Sequence, residues 1–254
     1  MLTATAYLGA VGLGVTSPRL FCADDGRVYV VKLQNNRLGA KVLVNEWLAC
    51  RFAAIMELCF PPGGLITVSE QTVMASRRMR TARVKPGTHF ASRFLTHSRY
   101  LNDGNIYKAV NKRQMAGVIL FDHIFHNFDR VWNRRNLLLR REEAGYVIYA
   151  IDNSHLFGRG NWTIDHLNQL APKIVINYRR AYGWVLKYFL KPEDFDPYRE
   201  KVAALTEADL TELVDSIPAE WLPDKTERQA LTDFMVARRD LSGTIVDRLC
   251  SLIP

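Results

Sequence analysis

The apolar pattern changes character about a third of the way along the chain. Before that point, aromatic and β-branched residues alternate or run together, which favours strands. "RLFCA" and "RVYVVKL" flank the turn "DDG" (Asp24 to Gly26) and read as a hairpin. A helix is expected from Lys41 to Leu58, because Leu43, Trp47, Phe52, Ile55 and Met56 recur near helical spacing with no Gly or Pro until Pro61. "GGLITVSEQTVMASRRM" reads as one or two further strands.

From about Pro86 the pattern turns helical. Met115, Val118, Ile119 and Phe125 mark one face of a helix ending near Asn127. A second hairpin follows, with Leu137 to Leu139 and Tyr146 to Ile151 as its arms and Glu142 to Gly145 as its turn. Thr206 is the expected N-cap of a helix reaching Val214, with Glu207 and Asp209 in an acidic first turn. A last helix is expected over Thr226 to Leu252, weakened by Gly243 and set apart by Pro218 and Pro223. No internal repeat and no low-complexity segment interrupts these elements.

These elements predict an α+β chain in two parts. A strand-rich part spans residues 1–85 and a mostly helical part spans 86–254, joined by a hinge near Arg83 to Thr88. Two lobes with a ligand-binding cleft between them are the expected outcome. A chain of 254 residues with 48% hydrophobic and 24% charged residues is an ordinary globular composition with enough length for a substantial core. The scattered cysteines (Cys22, Cys50, Cys59, Cys250) form no CxxC pair, so reduced thiols in a cytosolic protein are expected. The N-terminal stretch lacks Lys or Arg before Arg19, unlike a secretory signal. No apolar run reaches the ~18 residues of a membrane span.

Charge widens the range of partners. The net charge of +8 is compatible with nucleic acid, nucleotides or other anions. Arg77, Arg78, Arg80, Arg83 and Lys85 form one basic stretch, and Arg134, Arg135, Arg140 and Arg141 another. Both read first as solvated surface. No aromatic–basic motif of a nucleic-acid module is present, which places nucleic-acid binding last among the readings.

Four groups of residues carry candidate chemistry. Lys32 interrupts an apolar strand, and an inward ammonium requires an anion. Glu46 on the following helix can supply one, and a nucleotide phosphate can share it. The glycines from Gly9 to Gly14 match neither GxGxxG nor GxxxxGK, but they can let backbone amides approach phosphates. His123 and His126 lie near Asp122 and Asp129 without an HExxH pattern, so capping or packing roles are expected. The set Asp129, Asn136 and Asp152 is the strongest. The second hairpin places Asn136 before its first strand and Asp152 after its second, on strands roughly 5 Å apart. Their oxygens then suit Mg²⁺, with Asp129 on the loop leading in.

"YVVKLQNN", "GAKVLVNEWLA", "NFDRVWNRRNLLL" and "AIDNSHLFG", in this order, resemble the HipA-like kinase family, in its smaller stand-alone branch. The resemblance runs from about Gly12 to the final helix and implies a bilobal protein-kinase-like fold with ATP between the lobes. It implies that Lys32 contacts nucleotide phosphates, that Glu46 is its helix partner, and that Asp129 is the catalytic Asp. It further implies that Asn136 and Asp152 are metal ligands and that the segment from Gly14 through Ser17 to Pro18 covers the phosphates. The chain departs from ordinary protein kinases at several points. "FDR" stands for HRD and "IDN" for DFG, and no APE-type sequence follows. Asn136 lies seven positions after Asp129, so Asn133 is an alternative ligand.

The expected activity is ATP- and Mg²⁺-dependent phosphoryl transfer to a Ser or Thr of an unidentified protein. A nucleotide-binding pseudokinase and an AMP transferase using the same site stand as alternatives.

Overall fold

The computed structural model describes residues 1–12 and 16–254. β1 (Leu2–Ala10), β2 (Arg19–Ala23) and β3 (Val28–Lys32) form an antiparallel meander. Helix α1 (Lys41–Met56) follows, then β4 (Gly63–Val68), the short helices α2 (Glu70–Ala75) and α3 (Arg77–Thr81), and β5 (Gly87–Arg93). The five strands close into a barrel in the order β1-β2-β3-β5-β4, with β1 and β4 paired in parallel. Closure removes open strand edges. The barrel fills with Ala4, Phe21, Tyr29, Val31, Ile66, Val68 and Ala91, and Val73 and Met79 from α2 and α3 plug it.

Two expectations fail here, for physical reasons. The stretch after Val68 was expected to continue as strand, but Ser69 and Ser76 accept from the backbone N–H of Thr72 (3.0 Å) and Met79 (3.3 Å) and start helices there. These hydroxyl caps outweigh the β-branched Thr72 and Val73. The boundary expected at residues 85/86 does not coincide with the end of the barrel. β5 lies beyond it and pairs with both β3 and β4, so the region expected as a hinge is instead the entry to a strand.

The rest of the chain is built on helices. β6 (Arg99–Tyr100) leads to the buried helix α4 (Met115–Ile124) and the single-turn helix α5 (Asp129–Trp132). The hairpin β7 (Leu137–Glu142) and β8 (Gly145–Ala150) turns between Glu142 and Gly145, where Gly145 holds φ +126°. β6 joins its open side as a third strand. Helices α6 (Ile164–Leu170), α7 (Arg180–Phe189), α8 (Asp196–Ala203), α9 (Glu207–Asp215), α10 (Lys225–Asp240) and α11 (Ser242–Cys250) complete the chain. Thr206 and Asp209 form the reciprocal cap expected for α9. The last helix is two helices, broken at Leu241 just ahead of Gly243.

Helix α1 is apolar nearly all round and packs into the core formed by α4 and the later helices, separate from the barrel's own core. It stops at Met56, short of Leu58, because Glu57 turns left-handed at φ +54°. No helix among the described residues is long and apolar enough to cross a membrane.

Packing around α4 leaves no room at Gly117. A methyl group there would lie 2.4 Å from Tyr198 and 2.6 Å from Leu58. Alanine gains roughly 1 kcal/mol of helix propensity, whereas forcing atoms into a filled core costs about 1–3 kcal/mol. Gly117→Ala is therefore expected to lower the urea midpoint, and an unchanged or raised midpoint would show that Tyr198 yields freely.

Candidate active site

Strand β3, helix α1 and the segment after β8 converge on one ammonium. Alternation along β3 points Tyr29 and Val31 into the barrel, so Lys32 faces out of it toward α1. Its Nζ donates to Glu46 Oε1, to Asp152 Oδ1 at 2.7 Å and to Ser154 Oγ at 2.6 Å. Lys32 and Glu46 are almost wholly buried. Burial alone would lower the pKa of Lys32, but the carboxylates of Asp152 and Glu46 more than offset it and hold the ammonium well above its usual range. Burial acts to raise the pKa of Asp152, and Lys32 and Ser154 overcome that to hold the carboxyl far below the ordinary range. Asp152 sits in the left-handed region at φ +61°, a conformation Asp tolerates better than most residues.

A second cluster forms beside it, at the same open end of the hairpin. Asp129 opens α5, and its Oδ2 accepts from Asn136 Nδ2 at 2.8 Å. Asn133 accepts from Arg135 N at 3.2 Å and donates to Asn136 Oδ1 at 3.2 Å, so it buttresses Asn136. The backbone N–H of Ile151 donates to the Asn136 carbonyl at 2.9 Å, which places Asn136 and Asp152 at neighbouring positions, as the hairpin predicts. Their side chains turn apart, toward Asp129 and Lys32 respectively. Gly14 lies outside the described residues. Ser17 is exposed at φ +47°, and no hydrogen bond joins it to either cluster.

Sequence reasoning missed the residues that hold these groups in place. Asn153 N and Ser154 Oγ both donate to Glu46 Oε1, at 2.9 and 3.2 Å. Asn45, beside Glu46 on α1, donates to the Ser154 carbonyl at 2.8 Å and accepts from Trp162 Nε1 at 2.9 Å. Lys41, one turn earlier, lies over the Trp162 ring and donates to Glu227 on α10 at 2.5 Å. Below Asp129, the fully buried Arg130 donates to Asn153 Oδ1 at 2.6 Å and lies 3.4 Å from Asp122, which also accepts from Tyr182. Burial pushes the Asp122 carboxyl up to about 6 despite Arg130. Arg238, also fully buried, donates to the carbonyls of His123 and Ile124 and so ties the end of α4 to α10. The only one of these signals visible in sequence was adjacency: Arg130, Asn153 and Ser154 sit beside residues already singled out.

The donor set suits a hard divalent cation. The Asp152 carboxylate Oδ2 has no hydrogen-bond partner among the described residues, and Asn136 Oδ1 adds a neutral amide oxygen. No cluster of three or more His, Cys, Asp or Glu side chains able to hold a metal occurs among the described residues. A cation here would complete its shell with phosphate oxygens and water. The two histidines serve elsewhere: His123 Nδ1 faces the Ile119 carbonyl at 2.7 Å, and its Nε2 accepts from Asn177 N at 3.0 Å.

A closed barrel with an apolar helix beside it, a buried Lys–Glu pair, and a metal-suited hairpin beyond define the kinase-like class of folds. Two solved structures share it across the whole chain. One is the Helicobacter pylori proinflammatory kinase CtkA, at 14% identity and a TM-score of 0.63, with 98% of this chain and 97% of that one covered. The other is Hydra Fam20 determined with sugar, at 13% identity and a TM-score of 0.54, with 100% and 89% covered. No curated protein matches. The HipA-like kinase profile matches residues 8–246, and the chain belongs to that family of kinase-type phosphotransferases.

The buried imidazoles make stability pH-dependent. Burial lowers the pKa of His123 to about 4 and of His126 to about 3. Unfolding restores both to roughly 6.5, so below that pH the unfolded chain binds more protons and stability falls as pH drops. Asp122 opposes this, since its raised folded pKa stabilises the fold as pH falls from about 6 to 3.8, but it is one group against these two and the buried His89, whose pKa burial also lowers. The urea midpoint is expected to fall between pH 7 and pH 5. His126→Asn, which suits the φ of +51° at that position, should shallow the slope.

Proposed function

We propose that the chain is an ATP- and divalent-cation-dependent kinase that phosphorylates a Ser or Thr hydroxyl, with two lobes closing on the nucleotide. The observation that carries this reading is the meeting of Lys32, Glu46 and Asp152 from three separate elements, with Asp129 and Asn136 at the adjoining end of the hairpin. A structural ion pair would need only one carboxylate. The second acid, with one oxygen unengaged, is what a nucleotide–cation site requires.

Each residue then has a physical task. Lys32 has three N–H donors, and all three are taken. A phosphate oxygen therefore displaces Asp152 or Ser154, while Glu46 keeps the ammonium oriented. Asp152, once released, and Asn136 would hold the cation, which neutralises charge on the transferring phosphoryl group. Asp129 Oδ1 has no hydrogen-bond partner among the described residues, and its Oδ2 is fixed by Asn136. It is placed to receive the acceptor hydroxyl and its proton. Most of the rate enhancement would come from positioning and charge complementarity rather than covalent catalysis.

Intact mass after incubation with Mg-ATP and casein tests the reading. The wild-type chain should add phosphate to itself or to casein. Asp129→Ala should lose about 10²–10⁴ in transfer rate, with ATP affinity held within a few-fold. Transfer undiminished in Asp129→Ala would remove that residue from the mechanism. Addition of AMP in place of phosphate would convert the site to nucleotidyl transfer.

A further inference from the structure

The surface beside Asp129 carries more positive charge than phosphoryl transfer needs. Trp132 lies three residues after Asp129 on the single-turn helix α5, so both occupy the same side of it, and the indole is 47% exposed. The Arg180 guanidinium sits over that indole, 4.6 Å from its centre, and donates to the Trp132 carbonyl at 3.3 Å. Arg180 holds this place with φ +53°. The chain before it runs tightly across α7, since a Cβ on Gly183 would lie 2.0 Å from the Tyr178 carbonyl oxygen. Asn177 is pinned to His123 at the end of α4. Arg135 stands next to Asn136 with its guanidinium 6.0 Å from the Tyr100 ring centre. Arg134 pairs with Asp103 at 3.0 Å, whereas Arg135, Arg179 and Arg180, all exposed, form no ion pair among the described residues.

We propose that this face binds the acceptor as an acidic peptide segment, with carboxylates flanking the Ser or Thr on Arg180 and Arg135 and an apolar side chain against Trp132. The inference rests on the kinase reading above and names its substrate class. Guanidinium forks match carboxylates in pairs. Arg180 sits on Trp132, which shares the Asp129 side of α5, and Arg135 adjoins Asn136, which donates to Asp129. Arg180 also covers an indole face on which a nucleobase would stack.

Binding is measured in the Asp129→Ala chain, so the result does not depend on turnover. Fluorescence anisotropy compares a labelled peptide carrying Glu on both sides of a central Ser, its Gln counterpart, and oligouridylate. The Glu peptide is expected to bind at least about tenfold tighter than the Gln peptide at low salt. Arg180→Gln combined with Arg135→Gln should abolish that preference while the thermal midpoint stays within a degree or two of the parent. Equal binding of the two peptides, or a preference that survives in the double variant, overturns the proposal. Tighter binding of oligouridylate, lost in the same variant, overturns it in favour of nucleic acid. Absence of phosphate transfer by the wild type counts against the kinase reading and leaves this binding result to stand or fall by itself.

Discussion

A buried ammonium shared by two carboxylates is the constraint on which the rest of this structure depends. Taking Lys32 out of water is tolerable only while Glu46 and Asp152 are both in reach. Those acids come from α1 and from the chain after β8, so the barrel, the helix and the hairpin must all be in register before any of the charges is satisfied. Removing one partner from such a cluster leaves an uncompensated charge, which typically costs about 3–5 kcal/mol. The cluster therefore selects one arrangement of elements as much as it stabilises it.

Two buried polar networks hold that arrangement from either side. Asn45 and Trp162 fix α1 to the chain after Asp152 through bonds that leave no spare donor on the indole. Arg130 reaches Asn153 from below, and Asn153 in turn reaches Glu46 through its backbone. Glu46 and Asp152 are thus braced from helical elements on both sides, and each brace is a fully buried group whose loss would strand another. The positions of Glu46 and Asp152 are set by these supports as well as by the ion cluster itself.

Much of this could be read from the amino acids. The two hairpins announced themselves through Gly26 and Gly145 between β-forming runs. Lys32 stood out because a charge interrupted an apolar strand, and Asn136 and Asp152 lie at the open end of the hairpin, although their side chains turn to Asp129 and Lys32 instead of meeting. What escaped was set by tertiary context. Ser69 and Ser76 acted as helix caps inside a stretch whose side chains favoured strands. β5 carries His89 and Ser92 among its apolar residues, and its pairing with β3 and β4 is not a local property. The Asn45–Trp162 bond spans 117 residues, and no sequence period marks it. Arg135 read as surface charge, and nothing local marked Arg180, which folding sets over Trp132 on the Asp129 side of α5.

Helix α10 supplies both Glu227, which holds the start of α1 through Lys41, and Arg238, which holds the end of α4 just ahead of Asp129. The two halves of the site are thus fastened from a segment made after both of them. A nascent chain that has made Lys32, Asp129 and Asp152 still lacks the helix that fixes their supports. Bracing of the ion cluster from this side is in this way deferred until α10 has been made.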